Sequence, residues 1–370
     1  MDTLTIVMLI AGLALLVLGA ESLVRGATRI AAMAGIPPLI VGLTVVSFGT
    51  SAPELAVSVQ AALAGQADIA LGNVIGSNIF NVLAILGISA LVAPLIVSRQ
   101  LVRLDVPVMI GVSGLLLLLA LDGDVSRTDG LLLLLGTVVY TGFLVILARR
   151  DPLQSLPGLP GGDEFAVEYG AVSAKGMRAW VVNLTLVAVG LVLLVLGSNW
   201  LVNGAVIIAG ALGVSQLVIG LTVVAAGTSL PELATSVIAS LRGERDIAVG
   251  NVVGSNIFNI LLILGAAAVL GDGVAVARGV LFFDLPVMVA VAVACLPIFF
   301  TGYEIARWEG AVFLGYFVAY LVYVVLAATE HEALTVFGTV MMAFVLPLTV
   351  LTLGVFVWRS LRHPKRTSAL

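Results

Sequence analysis

Two glutamates, Glu54 and Glu232, each follow a proline inside an otherwise apolar stretch. Gly49-Thr50-Ser51-Ala52-Pro53-Glu54-Leu55 holds the first and Gly227-Thr228-Ser229-Leu230-Pro231-Glu232-Leu233 the second. Residues three and four apart are neighbours on a helix, so Thr50 and Ser51 lie beside Glu54, and Thr228 and Ser229 beside Glu232. A helical proline removes one backbone hydrogen bond and clashes with the carbonyl four residues back, here that of Gly49 or Gly227. Carbonyls loosened at such a break, around Ser47 and Ala225, can point at an ion. Downstream, Asn73, Ser77 and Asn81 repeat every four residues, as do Asn251, Ser255 and Asn259, which gives each following helix a polar stripe. Hydroxyls, carboxylates, amides and carbonyls together make a cage of hard oxygen atoms.

Such ligands, roughly 6–8 for calcium, suit Ca²⁺ and also Na⁺. Neither motif contains His, and Cys295 is the only cysteine, so zinc and copper are poorly served. An uncompensated carboxylate in a membrane interior is expensive, so the pair must be neutralised by cations or protons. One divalent ion or several monovalent ones satisfy the same two glutamates, and the two loads compete. Exchange of one for the other follows, with uncoupled leak suppressed because the empty, doubly charged site resists crossing.

The elements that position these groups are membrane helices. Of 370 residues, 61% are hydrophobic and 10% charged, with mean hydropathy +1.21, too little charge for a soluble domain of this size. Apolar runs near the ~20 residues that a spanning helix needs recur throughout, whereas barrel strands are short and alternating. We expect an all-α polytopic membrane protein of about eleven spans, near 4–32, 38–64, 69–94, 104–122, 129–148, 181–211, 216–241, 247–270, 280–301, 307–328 and 334–358. The Pro-, Gly- and acid-rich stretch 151–179 reads as a linker. It separates a first five-helix repeat (1–150) from a second (180–329), with an extra helix and a basic tail in 330–370.

The repeats are close copies. At an offset of 178, residues 39–87 and 217–265 agree at 34 of 49 positions. Asp105-Val106-Pro107-Val108-Met109 returns as Asp284-Leu285-Pro286-Val287-Met288, and Arg127, Asp129 and Tyr140 match Arg307, Glu309 and Tyr320. Five spans per repeat is an odd number, so the second repeat threads the bilayer in the opposite sense, an inverted repeat about an axis in the membrane plane. With the N-terminus outside, 15 of the 17 Lys and Arg fall at cytoplasmic ends and only Arg127 and Arg278 outside. That asymmetry fits the positive-inside rule and places the tail Arg359–Arg366 in the cytoplasm.

The paired Gly-Thr-Ser-x-Pro-Glu and Gly-Asn-x-x-Gly-Ser-Asn-x-x-Asn motifs resemble the two α-repeats of the calcium/cation antiporter superfamily, most of all its prokaryotic sodium/calcium exchangers. The resemblance covers ten spans. It implies that Glu54 and Glu232 are shared by all cation sites and that Thr50 and Thr228 join them for calcium. It implies that Ser51, Ser77, Ser229 and Ser255, with the carbonyls of Ser47 and Ala225, shape sodium sites, and that Asn81 and Asn259 sit beside the glutamates. It further implies alternating access, with spans one and six sliding over a fixed core; their Gly- and Leu-rich faces suggest loose packing. The expected activity is Ca²⁺/Na⁺ antiport across the plasma (cell inner) membrane. The alternatives are H⁺/Ca²⁺ or K⁺-dependent exchange on the same fold. Some relatives carry an acid at one of the positions of Asn81 and Asn259; two asparagines leave potassium dependence open. No cofactor is expected, since Ca²⁺ and Na⁺ bind as substrates. No obligatory protein partner is evident, and no basic tract points to nucleic acid.

Other polar residues carry plainer readings. Asp68 and Asp246 read as N-caps, Asp105 and Asp284 as helix-start residues before prolines, and Glu21 as the partner of Arg25. Met341 and Met342 read as lipid-facing, and His331 and His363 as solvated. A serine protease in the membrane would need a base beside its nucleophile, and no span holds a histidine. A passive channel fits less well with an inverted repeat and paired acids.

Overall fold

The structure, a computed structural model, describes residues 3–150, 177–211, 225–351 and 354. The linker expected at 151–179 lies outside them except for residues 177–179, which are already helical, and so does the basic tail. Among the described residues nine helices are long and apolar enough to cross a bilayer, and a bent pair makes a tenth. Helices satisfy every backbone group internally, as a lipid-facing segment must.

In chain order these are α1 (Thr3–Ala34), the bent pair α2 (Pro38–Thr50) and α3 (Ala52–Leu63), α4 (Ile69–Val92), α5 (Leu101–Asp122) and α6 (Arg127–Ala148). The second half has α7 (Met177–Ala211), α8 (Leu230–Leu241), α9 (Arg245–Leu270), α10 (Val280–Phe300) and α11 (Arg307–Ala328), followed by α12 (Ala333–Leu351). The span expected at 216–241 is described only from residue 225, as a turn at Ala225–Gly227 and α8.

Proline explains the broken helix. Pro53 cannot donate to Gly49, and the chain bends by 46° between α2 and α3. Ser51 at the bend has φ −81° and ψ 8°, and Ser229 in the second half has φ −90° and ψ 9°. Pro107 and Pro286 act differently. Asp105 and Asp284 do not start their helices: they close π-helical turns, Leu101–Asp105 and Val280–Asp284, inside continuous spans. The wider turn absorbs the missing amide. Both acids serve as structural acceptors, the buried Asp105 taking a hydrogen bond from Tyr140 at 3.3 Å and the half-buried Asp284 one from Tyr320 at 3.0 Å. The caps fall instead at Gln66 and Glu244, two residues before Asp68 and Asp246, and in the first turn of its helix the Asp246 charge still suits the helix dipole.

α4 and α9 form the centre. In each, 83% of the apolar window is buried in protein, against 6% for α11 and none for α12. The Asn/Ser stripes therefore face protein and not lipid. Two short antiparallel pairings tie the halves together: β1 (Leu95–Ile96) with β4 (Glu304–Ile305), and β2 (Asp124–Val125) with β3 (Val274–Ala275). α1 and α7 lie along each other at glycines. A Cβ on Gly12 would stand 2.9 Å from the Gly197 carbonyl, and one on Gly190 would stand 2.8 Å from that of Gly19. The packing is close at these crossings and not loose, because small residues let the backbones meet.

Glu21 binds more than Arg25. Arg242, at the end of α8, also pairs with it, so one acid links α1 to the second half. Both arginines are exposed, and such pairs contribute ~1 kcal/mol or less. Glu21→Gln is accordingly expected to shift the thermal unfolding midpoint of purified protein by no more than a few degrees; loss of folding would show a larger role for this link.

Candidate cation site

The two bends bring the glutamates together in the protein interior. Glu54 and Glu232 are each 1% exposed. Each accepts from the serine of the opposite motif: Ser51 Oγ donates to Glu232 Oε1 at 2.9 Å, and Ser229 Oγ to Glu54 Oε1 at 2.9 Å. This crossing is what a two-fold axis between the motifs requires. Ser77 Oγ lies 3.1 Å from Ser229 Oγ, and the Oγ of its counterpart Ser255 is buried without a partner.

A second layer ties each threonine to the opposite half. Thr50 Oγ1 donates to Asn251 Oδ1 at 3.1 Å and Thr228 Oγ1 to Asn73 Oδ1 at 3.2 Å. Asn73 in turn donates to the Glu54 carbonyl at 3.3 Å and to Ser58 at 2.9 Å; Asn251 donates to the Glu232 carbonyl at 3.4 Å and to Ser236 at 3.0 Å. The polar stripe thus divides its work, with Asn73 and Asn251 holding the motif backbones and Ser77 and Ser255 lying at the carboxylate level.

Asn81 and Asn259 each open a π-helical turn, Asn81–Leu86 and Asn259–Leu264. Such turns are common at functional sites. Ser47 is fully buried; its hydroxyl donates to the Thr44 carbonyl at 3.2 Å, and its own carbonyl accepts from Ser51 N at 3.0 Å and lies 3.4 Å from Thr50 Oγ1. The carbonyl freed by Pro231 is that of Gly227, and Ser198 of α7 donates to it at 2.6 Å. In the first half the residue matching Ser198 is Ala20, which has no hydroxyl to offer Gly49. Ala225 begins the helical turn at which the described residues resume.

Four oxygens of this set are buried with no hydrogen-bond partner: Glu54 Oε2, Glu232 Oε2, Asn81 Oδ1 and Asn259 Oδ1. Ser255 Oγ makes a fifth. Buried polar atoms in proteins are nearly always satisfied, and neither glutamate is in an ion pair among the described residues. Orphaned oxygens around two carboxylates match a cation in charge and in hardness. No three His, Cys, Asp or Glu side chains come together among the described residues, which again separates this cage from a transition-metal centre. A cavity of about 20 Å³ adjoins Ser51 and Phe258, whereas a larger one of about 220 Å³ lies between Pro37, Arg99 and Arg103, away from the glutamates.

Two repeated helical halves around a buried, oxygen-lined and acid-bearing centre define a polytopic membrane protein of the ion-transporter class. The sequence profile of the family described as "Sodium/calcium exchanger protein" matches residues 4–147 and 182–326, and the chain belongs to that family. It is similar to the sodium/calcium exchanger MaX1 of Methanosarcina acetivorans, at 34% identity over 87% of this chain and 99% of that protein. It also resembles the inner membrane protein YrbG of Escherichia coli K12, at 42% identity over 72% of this chain and 80% of that one. Among solved structures it superposes on the sodium-calcium exchanger NCX_Mj, in a crystal soaked with Na⁺ and Ca²⁺, with a TM-score of 0.72 and 32% identity over 86% of this chain and 98% of that chain.

Proposed function

We propose that the protein exchanges Ca²⁺ for Na⁺ by alternating access, with both ions competing for the glutamate pair. The observation that carries this reading is the crossed Ser51–Glu232 and Ser229–Glu54 pairing, which leaves one oxygen of each carboxylate buried and unpartnered. Glu54 and Glu232 serve every bound ion. Thr50 and Thr228 join them for Ca²⁺, and Ser51, Ser77, Ser229 and Ser255, with the Ser47 and Ala225 carbonyls, serve Na⁺. Asn81 and Asn259 complete the middle of the cage. One Ca²⁺ or more than one Na⁺ neutralises the two carboxylates, and the unloaded pair is too costly to occlude. α1 and α7, held to each other by their glycine contacts, move as a pair against the core formed by the other helices. The N-terminus faces outward in this reading, and the protein resides in the cell's inner membrane.

The test is ⁴⁵Ca uptake into proteoliposomes under imposed Na⁺, K⁺ or H⁺ gradients, applied one at a time. A Na⁺ gradient is expected to drive uptake, and a pH gradient without Na⁺ to drive none. Uptake driven by H⁺ and indifferent to Na⁺ would transfer the assignment to a proton/calcium exchanger.

A further inference from the structure

Beneath the cage lies a second ring of amides that none of the ion-binding roles uses. Asn78 of α4 and Asn256 of α9 are 2% and 3% exposed. They belong to the repeated Gly-Ser-Asn motif, but they point at each other's helix and away from the Ser77/Ser255 line. Asn78 Nδ2 donates to the Asn256 carbonyl at 3.3 Å and meets Met288 Sδ at 3.6 Å. Asn256 Nδ2 donates to the Asn78 carbonyl at 3.4 Å and meets Met109 Sδ at 3.5 Å. A carbonyl and a thioether accept and never donate. The NH₂ end of each of these asparagines is therefore fixed, and its Oδ1 is left as an acceptor.

That acceptor dictates the orientation of the next amide. Asn259 Nδ2 donates to Asn78 Oδ1 at 3.0 Å, and Asn81 Nδ2 to Asn256 Oδ1 at 3.0 Å. An asparagine whose nitrogen is so engaged turns its oxygen the other way, and Asn81 Oδ1 and Asn259 Oδ1 are the buried oxygens left without partners. Which end of an amide is oxygen is settled by its hydrogen-bond network, and here the network runs from methionine to Asn78 or Asn256 and then to Asn259 or Asn81. The motif methionines Met109 and Met288, 1% and 2% exposed, thereby acquire a purpose as donor-free acceptors.

We propose that Asn78 and Asn256, backed by Met288 and Met109, are positioning residues that hold the Asn259 and Asn81 amides with oxygen toward the cations and NH₂ away from them. Without the clasp an amide is free to flip and present N–H to a cation. This inference rests on the cation-site reading above and adds the mechanism that keeps the neutral ligands polarised.

The test is ⁴⁵Ca equilibrium binding to the purified, monodisperse full-length protein in detergent. Asn78→Ala is expected to raise the Ca²⁺ dissociation constant on the order of 10- to 100-fold, the range seen when outer partners of metal ligands are removed. In an Asn259→Asp background the same change is expected to have less than about a twofold effect, because a carboxylate has no N–H to turn inward. Where Asn78→Ala does not yield monodisperse protein, Met288→Leu removes only the sulphur acceptor. It is expected to weaken binding about threefold, the size of one weak hydrogen bond, and to lose that effect beside Asp at position 259. An unchanged dissociation constant, or the same factor in both backgrounds, would overturn the clasp. Glu54→Gln is measured alongside: if it abolishes binding while Asn78→Ala is silent, the clasp alone fails, and if Ca²⁺ binding survives Glu54→Gln, the cation-site reading fails with it.

Discussion

Glu54→Gln is expected to lower Ca²⁺ exchange in proteoliposomes by ~100-fold or more, since losing a buried charged partner costs ~3 kcal/mol or more. The same is expected of Glu232→Gln, because the two motifs are equivalent by symmetry. The substitution is nearly isosteric. Glutamine retains an oxygen to accept from Ser229, or from Ser51 in the second motif, so the crossed pairing survives. What disappears is a negative charge that no basic side chain compensates among the described residues. The ion-free protein should therefore be as stable as the parent or more so, because an unpaired buried charge is destabilising. The distinguishing readout is the thermal shift on adding Ca²⁺. A ligand that binds only the folded state raises its stability in proportion to the logarithm of its concentration over Kd, and the glutamine variants should show no such rise. A variant that keeps both its Ca²⁺-induced shift and its flux would remove the glutamates from the site.

Much of this arrangement is legible in the sequence, for a physical reason. The duplication carries both glutamates, both serines and both threonines at one offset, and an odd number of spans per repeat, as the sequence leads one to expect, would make them meet head to tail. Polar atoms this deep in an apolar chain must be buried together, and the crossed hydrogen bonds are the result. Pairings across the axis are harder to read. A four-residue spacing selects Asn73, Ser77 and Asn81 as one face and passes over Asn78, which is directed at the other half. Its partners Asn256, Asn259 and Met288 are about 180–210 positions away and are chosen by the docking of α4 on α9. Asp105 and Asp284 show a different limit. A proline two residues on reads as a helix start, yet the chain keeps its helix by widening one turn. That choice depends on the Tyr140 and Tyr320 hydroxyls, which donate to the acids and reward them for staying within the helix. Asp246 misses its cap for a similar reason: α9 starts two residues earlier than that reading requires, and the Asp246–Ile247 backbone packs against Gly42 of α2, a contact that local preference does not encode.

The docking of α2 on α9 leads to the second large effect. A Cβ on Gly254 would stand 2.7 Å from the Leu43 carbonyl, 2.7 Å from Ser47 Oγ and 2.9 Å from Leu43 Cα. Two of these neighbours are backbone, in the π-helical turn Gly42–Val46 that precedes the first motif, so neither can rotate aside. Gly42 meets the same surface from the other side, its Cβ position 3.0 Å from the Ile247 backbone. Gly254→Val must therefore push α2 off α9, which costs ~1–3 kcal/mol or more for an overfilled contact. The displacement is transmitted to the site, because Thr50, one turn beyond Ser47, donates to Asn251, one turn before Gly254. We expect Gly254→Val to lower the unfolding midpoint and to abolish Na⁺-driven Ca²⁺ uptake, with Gly254→Ala intermediate in both. Gly114 in α5 provides the contrast. Nothing lies within 4 Å of its Cβ position, so Gly114→Ala should leave transport intact and raise stability by up to ~1 kcal/mol through helix propensity. If Gly254→Val transported Ca²⁺ normally and unfolded at the parent temperature, the backbone contact between α2 and α9 would not be what sets the position of the first motif.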